Sequence, residues 1–212
     1  YDTMVIANIF GETVKDYGEL AKRLDSAEGV AALEINISCP NVKKGGLVFG
    51  TDPKEAYKVV RKVRRSTRLP LITKLSPNVA DVRPFVKAAE DAGTDAVSLI
   101  NTIPAMAIDV ERKRPCIARG IGGLSGPAIR PIAVRMVWEA YNAAKVPIIG
   151  MGGIMNARDA LEFIIAGATA VEVGTANFID PAASIRILEG ISEYLKKHST
   201  SVSALVGSLK IG

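Results

Sequence analysis

A cysteine enters this chain where an alternating strand breaks into a Pro-Asn turn, in EINISCPNVKKGG at residues 34–46. A structural thiol belongs inside a core. A thiol at a strand's exit can reach a ligand, and neighbouring dipoles or a cation can lower its pKa from about 8.5 far enough to supply thiolate as base or nucleophile. Cys39 is therefore the first candidate for chemistry. Imidazole is not its partner, because the single histidine, His198, lies near the C-terminal end and reads as solvated. The second cysteine, Cys116 in KRPCIARG, sits in a charged, loop-like stretch and reads as structural or incidental. No Cys/His cluster has metal-ligand spacing, so no metal is expected.

Lys74 interrupts the apolar run LITKLS. A buried ammonium is costly unless paired, so it should meet an anion or an electron-rich ligand, unless it reaches water from an edge strand. Asn8, Asn36 and Asn101 fall at strand ends. Asparagine donates and accepts at once, which suits an amide-rich planar ring, although any one alone could simply form a turn. Three glycine clusters follow: GGLSGPAIRP (122–131) leads into a helix, while GMGGI (150–154) and VGTANF (173–178) each end a strand. Glycine lets backbone amides approach a phosphate, and a helix start adds a favourable dipole, but glycines also serve as plain turn punctuation. Gly152, Gly153, Gly174 and Thr175 occupy the loops after the last two strands, where barrels often build a phosphate site. Neither a Walker loop nor GxGxxG is present, so a nucleoside triphosphate or a Rossmann dinucleotide is not indicated.

These residues need a scaffold that gathers strand ends. Short β-branched or apolar runs (TMVIANIF, AALEINIS, PLITKLS, DAVSLINT, VPIIGMGG, TAVEVGT) alternate with amphipathic stretches around 14–25, 53–67, 82–92, 127–144, 156–166 and 181–197. That rhythm predicts βαβ units and a parallel sheet. No linker or low-complexity segment divides the chain, so one domain over residues 1–212 is expected. Asn8, Asn36, Ser38, Lys74, Asn101 and Thr102 put polar groups on many successive strand ends, which favours a barrel over an open doubly wound sheet with its single crevice. A barrel has eight strands and about six are legible here, in a chain that starts abruptly at Tyr1. The expected fold is thus an α/β (β/α)8 TIM barrel, truncated at its N-terminus.

Composition sets the boundaries. Hydrophobic residues at 48% and charged residues at 23% are ordinary for a soluble globular protein. Two cysteines are a poor basis for a disulfide framework, which suggests a reducing, cytoplasmic setting. No leader opens the sequence and no apolar run is long enough to span a bilayer, so no membrane partner is expected. A net charge of +5 and a pI near 9.2 invite a nucleic-acid reading. However, the densest basic stretch, RKVRRSTR at 61–68, scatters its charges around Val59, Val60 and Val63 and lacks interleaved aromatics, as a solvated helix face would. No nucleic-acid partner is expected.

Taken together, EINISCPN, ITKLSPNV, LINTIPAMAIDVERKRPCIARGIGGLSGPAIRPIAVRMVWE, VPIIGMGGI and AVEVGTANF resemble the dihydroorotate dehydrogenase family. The resemblance runs in order along nearly all of the chain and is nearest the soluble, NAD-linked class 1B catalytic subunits. It implies a (β/α)8 barrel that holds FMN and oxidises dihydroorotate to orotate in pyrimidine synthesis. Cys39 would be the base for the C5 proton while hydride leaves C6 for flavin N5. Asn36, Asn101 and Thr102 would be substrate contacts, with Asn36 also reaching the flavin. Asn8, Lys74, Ile100, Gly126, Gly152, Gly153, Gly174 and Thr175 would be FMN contacts, Lys74 lying near the pyrimidine end of the isoalloxazine. The membrane-bound branch carries serine where Cys39 stands, so cysteine points to the soluble branch.

The resemblance further implies a homodimer and a partner subunit carrying FAD and a [2Fe-2S] cluster that passes electrons to NAD. The family's upstream lysine, flavin-binding serine and Asn-rich substrate loop have no counterpart here. Two other readings stand beside this one. A tRNA dihydrouridine synthase also uses FMN on a barrel with a loop cysteine, but in a Gly-Cys-Pro setting and with a helical RNA-binding domain after the barrel. A non-catalytic flavin-binding barrel would need neither Cys39 nor the asparagine set.

Overall fold

The computed structural model describes residues 3–38 and 46–212. In chain order its strands and helices begin with β1 (Val5–Ile9), α1 (Val14–Leu24), β2 (Val30–Asn36), α2 (Gly46–Thr51) and α3 (Pro53–Arg64). Next come β3 (Leu71–Lys74), α4 (Arg83–Ala92) and β4 (Ala96–Leu99), followed by four short strands: β5 (Ile103–Ala105), β6 (Ile108–Asp109), β7 (Arg114–Pro115) and β8 (Gly122–Leu124). A 3-10 turn at Pro127–Ile129 runs into α5 (Arg130–Tyr141), and β9 (Ile148–Met151), α6 (Ala157–Ala166), β10 (Ala170–Glu172), α7 (Ala176–Ile179), α8 (Ala183–Lys197) and α9 (Val202–Leu205) complete the order.

Local chemistry explains the helix starts. Thr13 and Asp16 form a capping box: the Thr13 hydroxyl accepts from the Asp16 amide at 3.2 Å, and the Asp16 carboxylate accepts from the Thr13 amide at 2.8 Å. Asp52 caps α3 with Pro53 in its first turn, where proline loses no hydrogen bond. Gly93, at φ 98°, ends α4 in a left-handed conformation suited to glycine.

All six expected strands lie in one sheet, ordered β1-β2-β3-β4-β9-β10 and parallel at each pairing. These are six of the eight strands that close a (β/α)8 barrel, with β1 and β10 at the edges. Strand alternation sorts β2 into two faces. Leu33 and Ile35 go into the core with Ile37 just beyond them, while Glu34 and Asn36 face the other way. The register sets Asn8 beside Glu34, Asn36 beside Lys74, and Lys74 beside Ser98, so one face of the sheet carries a polar row. On α3, Val59, Val60 and Val63 are fully buried while Lys62 and Arg65 are exposed, which makes the basic stretch an outer face.

The structure departs from expectation between β4 and α5. There, two antiparallel pairs, β5 with β8 and β6 with β7, build a projecting arm in a segment too short in its strands and too charged to show alternation. The stretch expected as one helix over 127–144 splits into the 3-10 turn and α5, because Gly126 and two prolines crowd its start. Helices α2, α7 and α9 are one or two turns long and leave no period to read. Among the described residues, no helix is long and apolar enough to cross a membrane.

Leu33 is completely buried within the core cluster that underlies the polar row. Leu33→Ala should lower unfolding free energy by about 3 kcal/mol, read from the midpoint shift in urea denaturation followed by circular dichroism.

Candidate functional site

The polar face is organised around Lys74. Its Nζ lies 3.2 Å from Glu34 Oε2 and 3.8 Å from Glu172 Oε2. Glu34 is 5% exposed, and both its oxygens are engaged: Ser98 Oγ donates to Oε1 at 2.6 Å, while Lys74 and the Asn8 side-chain amide both donate to Oε2. The anion expected for Lys74 is thus supplied within the chain. Two carboxylates share one ammonium, and the cost falls on Glu172. Burial, and next the charge of Glu34, push its pKa up to about 7, with Lys74 pulling the other way.

Above this floor, β2 and β4 end in a bonded set of amides. Asn101 Nδ2 donates to Asn36 Oδ1 at 3.1 Å and to Ser38 Oγ at 2.8 Å, and Asn101 Oδ1 accepts from the Thr102 amide at 2.7 Å. The Tyr17 hydroxyl donates to the Asn36 carbonyl at 2.8 Å. This network fixes the side chains of Asn36, Ser38 and Asn101.

Beside this set lies a glycine cradle. Gly126, Gly152 and Gly153 have φ of 85°, 124° and 78°, in the region that favours glycine. At Gly153 space is also decisive, because a Cβ would stand 2.6 Å from the Gly126 carbonyl oxygen. Gly174 has open space where its Cβ would be, and the neighbouring Thr175 hydroxyl donates to Ser125 Oγ at 2.8 Å.

Between floor, rim and cradle lies a cavity of about 310 Å³. Lys74, Ile100, Asn101 and Thr102 line it together with Gly126, Gly152, Gly153, Gly174 and Thr175. Nine sequence-predicted residues therefore share one space. Asn36 stands behind Asn101, and Asn8 sits exposed on the edge strand, bonded to Glu34. Cys39 lies outside the described residues; Ser38, immediately before it, is buried and bonded to Asn101. Cys116 is exposed in the projecting arm, and His198 is exposed against the Tyr194 ring. Glu34, Glu172, Ser98 and Ser125 were missed. A usable signal existed for Glu34: it lies two residues before Asn36, hence on the same face of β2.

Residues 1–195 match the protein family described as dihydroorotate dehydrogenase. The chain is 59% identical over 211 residues to the dihydroorotate dehydrogenase B (NAD(+)) catalytic subunit of Geobacter sp. (strain M21), covering 99% of this chain and 69% of that protein. Identity to the subunit of the same name from Geotalea daltonii is 61% over 211 residues, with the same coverage. Among solved structures, dihydroorotate dehydrogenase from Eimeria tenella in complex with ferulenol superposes with a TM-score of 0.77 at 24% identity. That match covers 92% of this chain and 57% of the other, and the likeness is one of fold.

The raised Glu172 pKa has a signed consequence. A carboxyl that titrates near 7 when folded, against 4.5 when unfolded, binds more protons in the native state across that window, so its contribution makes stability fall as pH rises from about 4.5 to 7. Glu172→Gln should remove this part of the slope. Urea-denaturation free energies measured across that range should therefore decline less with pH in the variant than in the wild type.

Proposed function

The chain belongs to the dihydroorotate dehydrogenase family, and from that premise we propose that it oxidises (S)-dihydroorotate to orotate with FMN held across its cavity, as a catalytic subunit whose electrons pass to NAD. The observation that carries this reading is that an ammonium, an amide rim and a glycine cradle line a single cavity. Its volume of about 310 Å³ stands at the lower end of the roughly 300–1,000 Å³ typical of ligand pockets.

The residues suit a phosphorylated planar ring. A cradle in which a Gly153 side chain would collide with the Gly126 carbonyl leaves backbone amides accessible to a phosphate. Gly126, Gly152, Gly153, Gly174 and Thr175 would hold that phosphate. Ile100, buried and apolar, would lie against the ring, and Asn8 and Asn36 would meet its polar edge. When bound, FMN supplies the two-electron acceptor for the hydride that leaves C6 of dihydroorotate. Lys74 would place its positive charge at the pyrimidine end of the ring, where negative charge develops. Asn36, Asn101 and Thr102 would orient the substrate through its ring amides and carboxylate. Cys39, as thiolate, would take the C5 proton, and the electron pair of that C–H bond becomes the C5=C6 double bond as hydride departs.

The relatives are named NAD(+)-linked catalytic subunits. A catalytic subunit implies a partner. From the resemblance of the sequence motifs we propose that this partner carries FAD and a [2Fe-2S] cluster on the electron path to NAD, and that the assembly is a homodimer in a cytoplasmic setting.

Stopped-flow absorbance of the flavin-loaded protein under anaerobic dihydroorotate tests the assignment. The yellow absorption should bleach in the wild type. In Cys39→Ala the colour should remain while the bleaching rate falls by about 10²–10⁴. An unchanged rate would sink the base assignment, and a wild type that is not bleached by dihydroorotate would sink the reaction itself.

A further inference from the structure

We propose that the Arg130–Asp159 ion pair is a positioning clamp that holds the Gly126 loop against the Gly152–Gly153 loop, and thereby makes the cavity select phosphorylated over unphosphorylated flavin. The inference rests on the FMN reading above and concerns residues which that reading does not use.

Arg130 is the first residue of α5, directly after the 3-10 turn that follows Gly126. Asp159 lies in the first turn of α6, the helix that follows Gly152 and Gly153. The Arg130 Nη1 donates to Asp159 Oδ1, so the pair joins the two helix starts on which the glycine loops hang. Asp159 is 3% exposed and fully engaged: Oδ2 accepts from the Met155 amide at 2.9 Å, and its own amide donates to the capping Asn156 side chain at 3.0 Å. Arg130 Nε, buried and without a hydrogen bond, lies 3.4 Å from Glu162 Oε2, one turn further along α6. The guanidinium is therefore pinned between two carboxylates of one helix. Asp159, the buried member of the pair, tolerates little displacement, because separation leaves its charge unpaired.

The loops behind this pair have no slack. A Cβ on Gly153 would come within 2.9 Å of Arg130 Cβ and 3.1 Å of the Arg130 amide, besides its collision with the Gly126 carbonyl. That carbonyl is itself engaged, accepting from the Ile129 amide at 3.2 Å. Neither Arg130 nor Asp159 lines the cavity, whereas Gly126, Ile129, Gly152 and Gly153 do. The pair acts through the loop spacing alone. Lys74 and Asn101 belong to β3 and the segment after β4, so a change in that spacing falls first on the phosphate. Ile100, whose Cγ1 would lie 3.5 Å from a Cβ on Gly152, is a ring-side residue that borders it. A helix-to-helix staple with no bearing on the ligand would alter stability without altering selectivity.

Dissociation constants for FMN and for riboflavin, read from quenching of flavin fluorescence on titration with the full-length apoprotein, separate these cases. The wild type should bind FMN more tightly than riboflavin. Arg130→Lys, which keeps the charge but not the planar fork, and Asp159→Asn, which keeps an acceptor for the Met155 amide but not the charge, should each reduce the FMN-to-riboflavin preference by roughly tenfold. Riboflavin affinity should stay within about twofold. A preference unchanged in both variants, or equal losses for both ligands, would overturn the clamp while leaving the FMN reading in place. A wild type with no preference would overturn the phosphate cradle and the clamp together. Circular dichroism establishes folding, and Arg130→Lys alone decides if Asp159→Asn does not fold.

Discussion

An ammonium on the inner face of a parallel sheet has to be neutralised before that face can be built, and the rest of this site follows from how that is done. Removing a lysine from water costs several kcal/mol unless carboxylates and hydrogen bonds replace the lost solvation. Glu34 supplies the nearer charge to Lys74 and Glu172 the farther one. Glu34 in turn draws in Asn8 and Ser98. Side chains of β1, β2, β3, β4 and β10 are thereby bound into one cluster. Because side chains alternate along a strand, fixing Glu34 inward also fixes Asn36 inward, one pleat closer to the rim. The amide set of Asn36, Ser38 and Asn101 therefore rests on a charge balance two residues below it.

The cradle is held by a different kind of constraint. Its loops depend on close approach of backbone to backbone and on positive φ at Gly126, Gly152 and Gly153. A ligand that spans the cavity would meet a charged, hydrogen-bonding floor at one end and neutral amides at the other. The first suits an electron-accepting heterocycle whose charge changes during reaction, because a fixed ammonium needs no reorganisation when that charge appears. The second suits an anion of constant charge. Different elements supply most of each part, β3 and β4 the first and the loops after Gly126, β9 and β10 the second, while Glu172 of β10 joins the two.

Much of this was legible in the residues. Six β-branched runs became the six strands of the sheet, and the strand-end polar residues converge as a barrel requires. Lys74 announced a partner by its place in LITK, yet the partners themselves stayed hidden. Glu34 occupies the polar position of an alternating strand, where the default reading is solvent; its shared face with Asn36 was the one signal against that, and the placement of β3 and β4 beside β2 is what supplies its partners. Glu172 stands in AVEVGT under the same ambiguity. The Arg130–Asp159 pair spans 29 residues, and nothing local marks an arginine after a glycine-rich loop as anything but a helix-start charge. The projecting arm escaped because strands of two or three residues carry no period.

The two halves of the site also differ in how completely the chain encloses them. The phosphate half is bounded by α5, α6 and the loops after β9 and β10, with Ile129, Met151 and Ile154 buried behind it. The ring half reaches toward β1, where Asn8 is exposed and Val5 and Ile6 are about half accessible on an edge strand. Edge amides and half-covered aliphatics are what a neighbouring strand would cover in a closed barrel. Enclosure strengthens electrostatic contacts by excluding water, so a ligand's grip should be firmest at the cradle and weakest beside β1. The charge balance at Lys74 lies between these extremes. It is shielded enough to raise the Glu172 pKa and open enough, on the cavity wall, to face whatever binds there.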